Sequence, residues 1–313
     1  MKIINSLENL NIEEKTSVAL GNFDGVHIGH QKIMQNALDA VNGSMLSVCF
    51  TFSNHPFNFI LDRDVSDPAA IKLICSEEDK IRLIEDMGFD ILVNVPFDEN
   101  IMTMRAHDFF ESILIRKLNA GFVSVGFNYT YGARAEGKTD MLKEECAAAG
   151  IDIHVEDAVK LDGKIVSSTL IREMIKEGNM EQTQRYLGRP LVFSGKVEHG
   201  LKLGSANGIP TANIPVDASR IAPPSGVYFS RVIIGDDEYA SVSNIGYKPT
   251  VQESGGLSVE TNIFDFDAEL YGSEIAVLFD HFSRAEVKFD SREELFDQIR
   301  KDCAGAKEYY KKR

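Results

Sequence analysis

Over the first half of the chain, short apolar runs alternate with segments of helix length. Thr16-Ser17-Val18-Ala19-Leu20 has the continuity of a buried strand, and from Ile28 onward Ile33, Met34, Ala37, Leu38 and Val41 recur on one helix face. Further strands are expected at 46–52, 89–95, 122–125 and 151–155, with helices between them at 77–87, 105–118 and 138–149. Ser76 with Asp79 gives the helix at 77–87 a start, and Gly88 gives it a stop. Strand–helix alternation of this kind predicts a parallel sheet with helices on both faces, which binds ligands at the carboxyl ends of its strands.

After a helical stretch at 168–186 the period changes from that of helices to that of strands. From Leu187-Gly188-Arg189-Pro190 onward, short alternating runs fall at 192–197, 227–233, 239–242, 259–266 and 274–279, separated by Gly and Pro, and a last helix is expected at 292–302. This pattern fits an antiparallel β-barrel closed by a helix. The expected organisation is therefore an α/β domain over 1–186 and a β domain over 187–313.

Composition narrows the class of function. With 313 residues, the chain is long enough to bury two cores. A net charge of -15 argues against nucleic acid or an anionic membrane as a partner, so an anionic substrate must be met by local donors. Cys49, Cys75, Cys146 and Cys303 lack metal or disulfide spacing. The first residues lack the apolar core of a signal peptide and no apolar run has membrane-spanning length, so a cytoplasmic location is expected.

The densest chemistry lies in Gly21-Asn22-Phe23-Asp24-Gly25-Val26-His27-Ile28-Gly29-His30, where a strand passes to a helix. At a helix start, free backbone N–H groups and the positive end of the dipole attract anions, and glycines let phosphates approach the main chain. A histidine there can donate to charge developing on a phosphoryl oxygen. A metal reading fails, because two histidines three apart need a third ligand and no Cys, Asp or Glu cluster stands nearby.

Three later segments belong with it: Thr51-Phe52-Ser53-Asn54-His55-Pro56, the run from Val125-Gly126-Phe127-Asn128 through Arg134 to Gly137, and Val166-Ser167-Ser168-Thr169-Leu170-Ile171-Arg172. Ser167 or Ser168 can serve simply as a helix cap, or the capped start with Arg172 can hold the outer phosphates of a nucleotide. In the β-rich half, Gly204-Ser205-Ala206-Asn207-Gly208-Ile209 precedes Pro210-Thr211-Ala212-Asn213, which reads as the start of a strand. It is not a Walker A loop, since no G-K-[ST] follows.

With these residues in view, the chain resembles the prokaryotic bifunctional riboflavin kinase/FMN adenylyltransferase (FAD synthetase) family over nearly its whole length. G-x-F-D-G-x-H-x-G-H matches the nucleotidylyltransferase signature. The flavin branch is pointed to by V-G-F-N-Y-T-Y-G, by S-S-T-L-I-R, and by Glu177-Gly178 followed by L-G-R-P. The resemblance implies a Rossmann-like nucleotidylyltransferase domain followed by a riboflavin kinase barrel.

It further implies that FMN phosphate attacks the α-phosphorus of Mg-ATP directly, releasing pyrophosphate, with His27 and His30 as catalytic residues near that phosphate. Ser167, Ser168, Thr169 and Arg172 would serve the leaving pyrophosphate. Gly21, Asn22, Phe23, Gly29, Asn128 and Arg134 would bind substrate, His55 with Pro56 would shape the flavin side, and Asp24 would either bind or brace the turn. In the second domain it implies Thr211 and Asn213 on Mg²⁺ and the ATP phosphates, Gly204, Gly208, Pro210 and Arg284 as nucleotide or flavin contacts, and Glu260 as the base for the ribityl 5′-hydroxyl. Asn244-Ile245-Gly246-Tyr247-Lys248-Pro249-Thr250 and Arg284-Ala285-Glu286-Val287-Lys288-Phe289 are further matches.

Three departures fall in this half. Ser205 and Lys248 stand where the family usually has arginine, and Asn262 where histidine is common. Losing a planar guanidinium weakens phosphate or flavin contacts. The reading is thus a two-step enzyme using ATP, riboflavin and FMN, with FAD as the last product. Its alternative is an FMN adenylyltransferase whose kinase-like domain is catalytically weak or only binds flavin.

Overall fold

The computed structural model describes residues 1–41, 43–198, 211–247 and 256–312. By its contacts the chain divides into two compact units, Met1–Ser168 and Thr169–Arg313.

The first unit is built on a six-stranded parallel sheet of β1 (Lys2–Ile4), β2 (Lys15–Leu20), β3 (Met45–Phe52), β4 (Ile91–Val95), β5 (Ala120–Gly126) and β8 (Asp152–Glu156), in the order β1-β4-β3-β2-β5-β8. Two short ribbons accompany it, β6 (Thr130–Tyr131) with β7 (Gly137–Lys138), and β9 (Lys160–Leu161) with β10 (Lys164–Ile165). Apolar residues run without a polar alternation because both faces are covered. Val18, Leu20, Val48, Phe50, Val93, Val95, Val123 and Val125 pack on one side against Phe109, Phe110, Ile113, Leu114 and Leu142. Ala19, Cys49 and Leu92, one residue out of step, pack on the other side against Ile33, Met34 and Ala37 of α1 (Ile28–Asp39) and Ile84 of α3 (Glu77–Asp86).

The expected strands and helices of this half are all present, with additions. β1, α2 (Pro56–Ile60) and α4 (Glu99–Thr103) were not foreseen, being too short for a periodic signal. The helix expected at 105–118 is present but changes pitch: α5 (Ala106–Phe109) passes into a π-helical segment, Phe110–Lys117, whose widened turns accompany burial of both adjacent pairs Phe109–Phe110 and Ile113–Leu114. α6 (Thr139–Ala149) ends at Gly150 in the left-handed region (φ 68°).

The stretch expected as one helix at 168–186 is two, α7 (Ser168–Lys176) and α8 (Met180–Leu187). Gly178 at φ 73° breaks the first, and Asn179 caps the second by accepting from the Gln182 N–H.

The second unit holds a six-stranded antiparallel sheet of β11 (Leu191–Lys196), β12 (Ala212–Pro215), β13 (Gly226–Ile234), β14 (Asp237–Tyr247), β15 (Leu257–Ile263) and β16 (Glu274–Ala285), in the order β11-β16-β13-β14-β15-β12. A bridge between Glu198 and Asn213, with Glu198 N–H donating to the Asn213 carbonyl at 2.8 Å, brings the two ends together into a nearly closed barrel. Several strands run beyond their expected limits, because β14 and β16 continue past the alternating apolar core into polar residues.

Inside the barrel, Phe193, Tyr228, Val232, Ile245, Val259, Val277 and Phe279 are buried. A chain of hydroxyls lies among them, Ser230 with Ser241 and Ser243 at 2.7 Å each, and Ser243 with Thr261 at 2.8 Å, so each of these four hydroxyls has a partner. α9 (Arg292–Lys311) lies against the outer face, where Ala306 and Cys303 pack on Val227, Phe229, Ala240 and Val242.

Candidate active sites

In the first unit the chain runs β2, β3, β4 toward one edge and then returns to place β5 on the other flank of β2. That reversal makes the carboxyl ends of β2 and β5 the crevice where open α/β sheets bind ligands. The turn 21–27 leaves β2 here and Asn128 leaves β5, exposed just beyond Gly126. His55 and Pro56 follow β3 at the same end of the sheet, with His55 Nδ1 accepting from the Phe57 N–H at 3.3 Å as the cap of α2.

The turn itself is under backbone strain. Phe23 (φ 48°), Gly25 (φ 79°) and Val26 (φ 39°) lie in the left-handed region, which is costly for an aromatic and most of all for a β-branched residue. Several bonds hold it there: Thr51 Oγ1 donates to the Asn22 carbonyl at 3.0 Å, Gln31 Nε2 to the Val26 carbonyl at 2.8 Å, and the Ile74 N–H to Asp24 Oδ1 at 2.9 Å. A side chain at Gly25 would crowd Ile74, and one at Gly21 would overlap the fully buried Phe23 ring. Asp24, buried to 5% exposure, therefore braces the turn.

The turn delivers His27 as the cap of α1, its Nδ1 accepting from the His30 N–H at 3.2 Å. A ring nitrogen that accepts carries no proton, so the proton of neutral His27 resides on Nε2. The two imidazoles stack at 3.5 Å between centroids and 17° between planes, and the Phe23 ring meets His30 edge-on at 5.4 Å. Gly29 keeps the space beside the His27 ring open. The outcome is two oriented imidazoles at a helix start, an arrangement that can bind polyphosphate and stabilise charge on it.

Ser168 joins this turn, its Oγ donating to the Asp24 carbonyl at 3.0 Å. Ser167 precedes it, while Thr169 and Arg172 continue along α7 and belong by contacts to the second unit. Arg134 stands exposed in a short left-handed turn at φ 55°.

Lys80 was not foreseen. It is buried to 7% exposure on the same face of α3 as Ile84, and its Nζ donates to the carbonyl of Phe52 at the end of β3. Burial pulls its pKa below the ordinary lysine range, opposed by the charges of Cys75, Asp24, Cys49 and Glu77. A lysine on an apolar helix face was the available signal.

In the second unit a polar row crosses the outer face of the barrel. Asn213 of β12 is directly opposite Glu260 of β15, which is opposite Asn244 of β14, and the same rung continues through Val227 to Arg284 of β16. Thr211 Oγ1 donates to Glu260 Oε1 at 2.7 Å, and Asn213 is buried to 3%. Thr211, Asn213 and Glu260 thus form one cluster of hard oxygen donors, which suits Mg²⁺ and phosphate-bearing substrates.

Arg284 is engaged with α9, Nε and Nη2 gripping Asp302 at 3.0 and 2.6 Å. Asn262 Oδ1 accepts from the Cys303 thiol at 3.7 Å. Gly204, Ser205, Gly208, Pro210 and Lys248 lie outside the described residues.

Comparison with known proteins gives a family for each half of the chain. A family model described as FAD synthetase matches residues 9–170, and one described as riboflavin kinase matches residues 187–310. The chain is 36% identical over 301 residues to the bifunctional riboflavin kinase/FMN adenylyltransferase of Bacillus subtilis (strain 168), covering 95% of this chain and 93% of that one. It is 32% identical over 316 residues to the protein of the same description from Escherichia coli (strain K12), covering 99% and 98%. A crystal structure named as a macrolide-efflux protein from Streptococcus pneumoniae matches at a TM-score of 0.84 and 28% identity, covering 97% of this chain and 98% of that one. Among the described residues no helix is long and apolar enough to cross a membrane. By these matches the chain belongs to the bifunctional riboflavin kinase/FMN adenylyltransferase family.

Proposed function

We propose that the chain phosphorylates riboflavin at the Thr211–Asn213–Glu260 cluster and adenylylates the resulting FMN at the turn from Gly21 to His30, consuming ATP in both steps. The functional boundary falls near residue 187, where the riboflavin kinase match begins. The observation that carries the reading is the strained turn of the first unit, which presents two oriented imidazoles at a helix start in the sheet's ligand crevice.

In adenylyl transfer, an FMN phosphate oxygen attacks the α-phosphorus of ATP in line, and the bond to the β-phosphate oxygen breaks to release pyrophosphate. No side chain need be covalently modified. Positioning and charge stabilisation supply the acceleration. His27 through Nε2–H, His30 and the N–H groups of α1 receive the developing charge, while Ser168, Thr169 and Arg172 attend the pyrophosphate. Gly21, Asn22, Phe23 and Gly29 shape the nucleotide cradle, and Asn128, Arg134, His55 and Pro56 line the flavin side.

In phosphorylation, Glu260 accepts the proton of the ribityl 5′-hydroxyl as its oxygen attacks the γ-phosphorus of ATP and ADP leaves. Thr211 Oγ1 and Asn213 Oδ1 would hold Mg²⁺, which when bound neutralises phosphate charge. The chain acts in the cytoplasm, a reading supported by four free cysteines, three of them buried.

Purified protein incubated with riboflavin, ATP and Mg²⁺ and resolved by chromatography tests this. FMN followed by FAD is expected. FAD from supplied FMN but neither product from riboflavin would leave an adenylyltransferase with a silent second domain.

A further inference from the structure

Beside Glu260 on the same face of the barrel stands a second carboxylate that the two reactions above do not use. Asn244 is the residue of β14 directly opposite Glu260, and its Nδ2 donates to Glu286 Oε1 at 3.3 Å. Two residues farther along β14, Gly246 lies under the same carboxylate: a side chain at that position would collide with Glu286 Oε1, and its Cδ would be crowded as well. The Glu286 carboxylate is thus seated over a glycine and pinned by an amide. Glu286 itself is exposed, so the carboxylate is open to a ligand.

Adjacent strands are about 4.8 Å apart, and residues two apart along a strand about 6.8 Å. The span from Glu260 across Asn244 to the Glu286 carboxylate is therefore that of a short polyol chain. An ionised carboxylate only accepts hydrogen bonds, and neighbouring hydroxyls of a polyol are donors that match it. If the terminal hydroxyl of the substrate meets Glu260, its inner hydroxyls pass the Asn244–Glu286 pair.

Resting on the riboflavin kinase reading, we propose that Glu286, held by Asn244 and seated over Gly246, is a specificity-determining residue that binds the inner hydroxyls of the ribityl chain and so sets the 5′-hydroxyl against Glu260. The pair acts on substrate binding and not on proton transfer.

The test uses the full chain carrying Glu286→Gln, an isosteric change at an exposed position, alongside Gly246→Ala, which displaces the carboxylate without removing it. Riboflavin binding is followed by quenching of its own fluorescence, and FMN formation gives KM and kcat. Glu286→Gln should weaken riboflavin binding and raise its KM by about 10–100-fold, the range expected for lost hydrogen bonds to a charged group, with kcat and the KM for ATP unchanged. Gly246→Ala should shift the same quantities in the same direction.

Lumiflavin, which has the ring but no polyol, should bind both variants as it binds the parent. Unchanged riboflavin affinity in Glu286→Gln overturns the proposal, as does equal weakening of lumiflavin, which would place Glu286 against the ring. A fall in kcat with KM unchanged also overturns it. A parent protein that binds riboflavin but makes no FMN would instead refute the kinase reading, and the binding comparison would still decide the role of Glu286.

Discussion

His27 and His30 owe their geometry to one another: the first caps the helix that carries the second, and the rings stack. His30→Ala removes one donor to the developing phosphoryl charge while leaving the cap acceptor on His27. FAD formation from FMN should fall by about 10²–10³-fold with riboflavin phosphorylation retained, as measured on the two substrates separately. Equal loss of both activities would contradict separate sites. Lys80 offers a second test at this scale. Because burial lowers its pKa in the folded state, the unfolded chain binds more protons between that value and the ordinary 10.5. Its contribution to stability accordingly increases as pH rises through that window. The difference in thermal midpoint between the parent and Lys80→Met should grow in the parent's favour from neutral pH toward about pH 10. A constant difference would show that Lys80 does not titrate there. Cys49 shifts in the opposite sense, since burial pushes its thiol up against the opposing charge of Lys80, so both proteins are compared in a Cys49→Ala background.

At the scale of elements, what distinguishes the first site is a turn held away from its preferred backbone. Gly25→Ala places a side chain at φ 79° against Ile74, and should destabilise the first unit by roughly 1–3 kcal/mol in denaturant unfolding while reducing FAD formation. In the second unit, α9 is fixed to the barrel by polar as well as apolar contacts. Asp280, fully buried, accepts from Arg231 Nε at 2.8 Å and Nη2 at 3.0 Å and from the Tyr310 hydroxyl at 2.8 Å. Asp280→Ala should cost about 1.5–3 kcal/mol in the unfolding of this unit, the range for hydrogen bonds to a charged group. Elements with a sustained period were legible from the residues alone: α1 and α3 by their apolar faces, β2, β3 and β4 by continuous apolar runs. The short α2 and α4 gave no period to read, and the break between α7 and α8 depended on how Gly178 and Asn179 act on a pattern that otherwise continues. The π-helical turns of Phe110–Lys117 had no local mark, because they follow from burial on more than one side.

For the whole molecule, two reactions in series on one chain make a simple prediction. His30→Ala and Glu260→Gln each lack one step, so neither should convert riboflavin to FAD alone, yet a mixture of the two should, with FMN passing through solution. Chromatography of the mixture checks this, and absence of FAD would show that FMN must stay on one chain. The division into an α/β half and a β half and the phosphate-binding character of 21–30 follow from residue order, because period and motif spacing are local properties of a chain, whereas Thr211, Asn213 and Glu260 became candidates only through the family resemblance. Tertiary structure alone decided the rest. The reversal of strand order put the 21–27 turn and Asn128 at one crevice, barrel register set Asn213, Glu260, Asn244 and Arg284 on one rung, and Lys80 and Glu286 acquired neighbours from distant segments. Such contacts depend on which strands pair and which faces are buried, and those choices are made by the fold as a whole, beyond the reach of any local pattern.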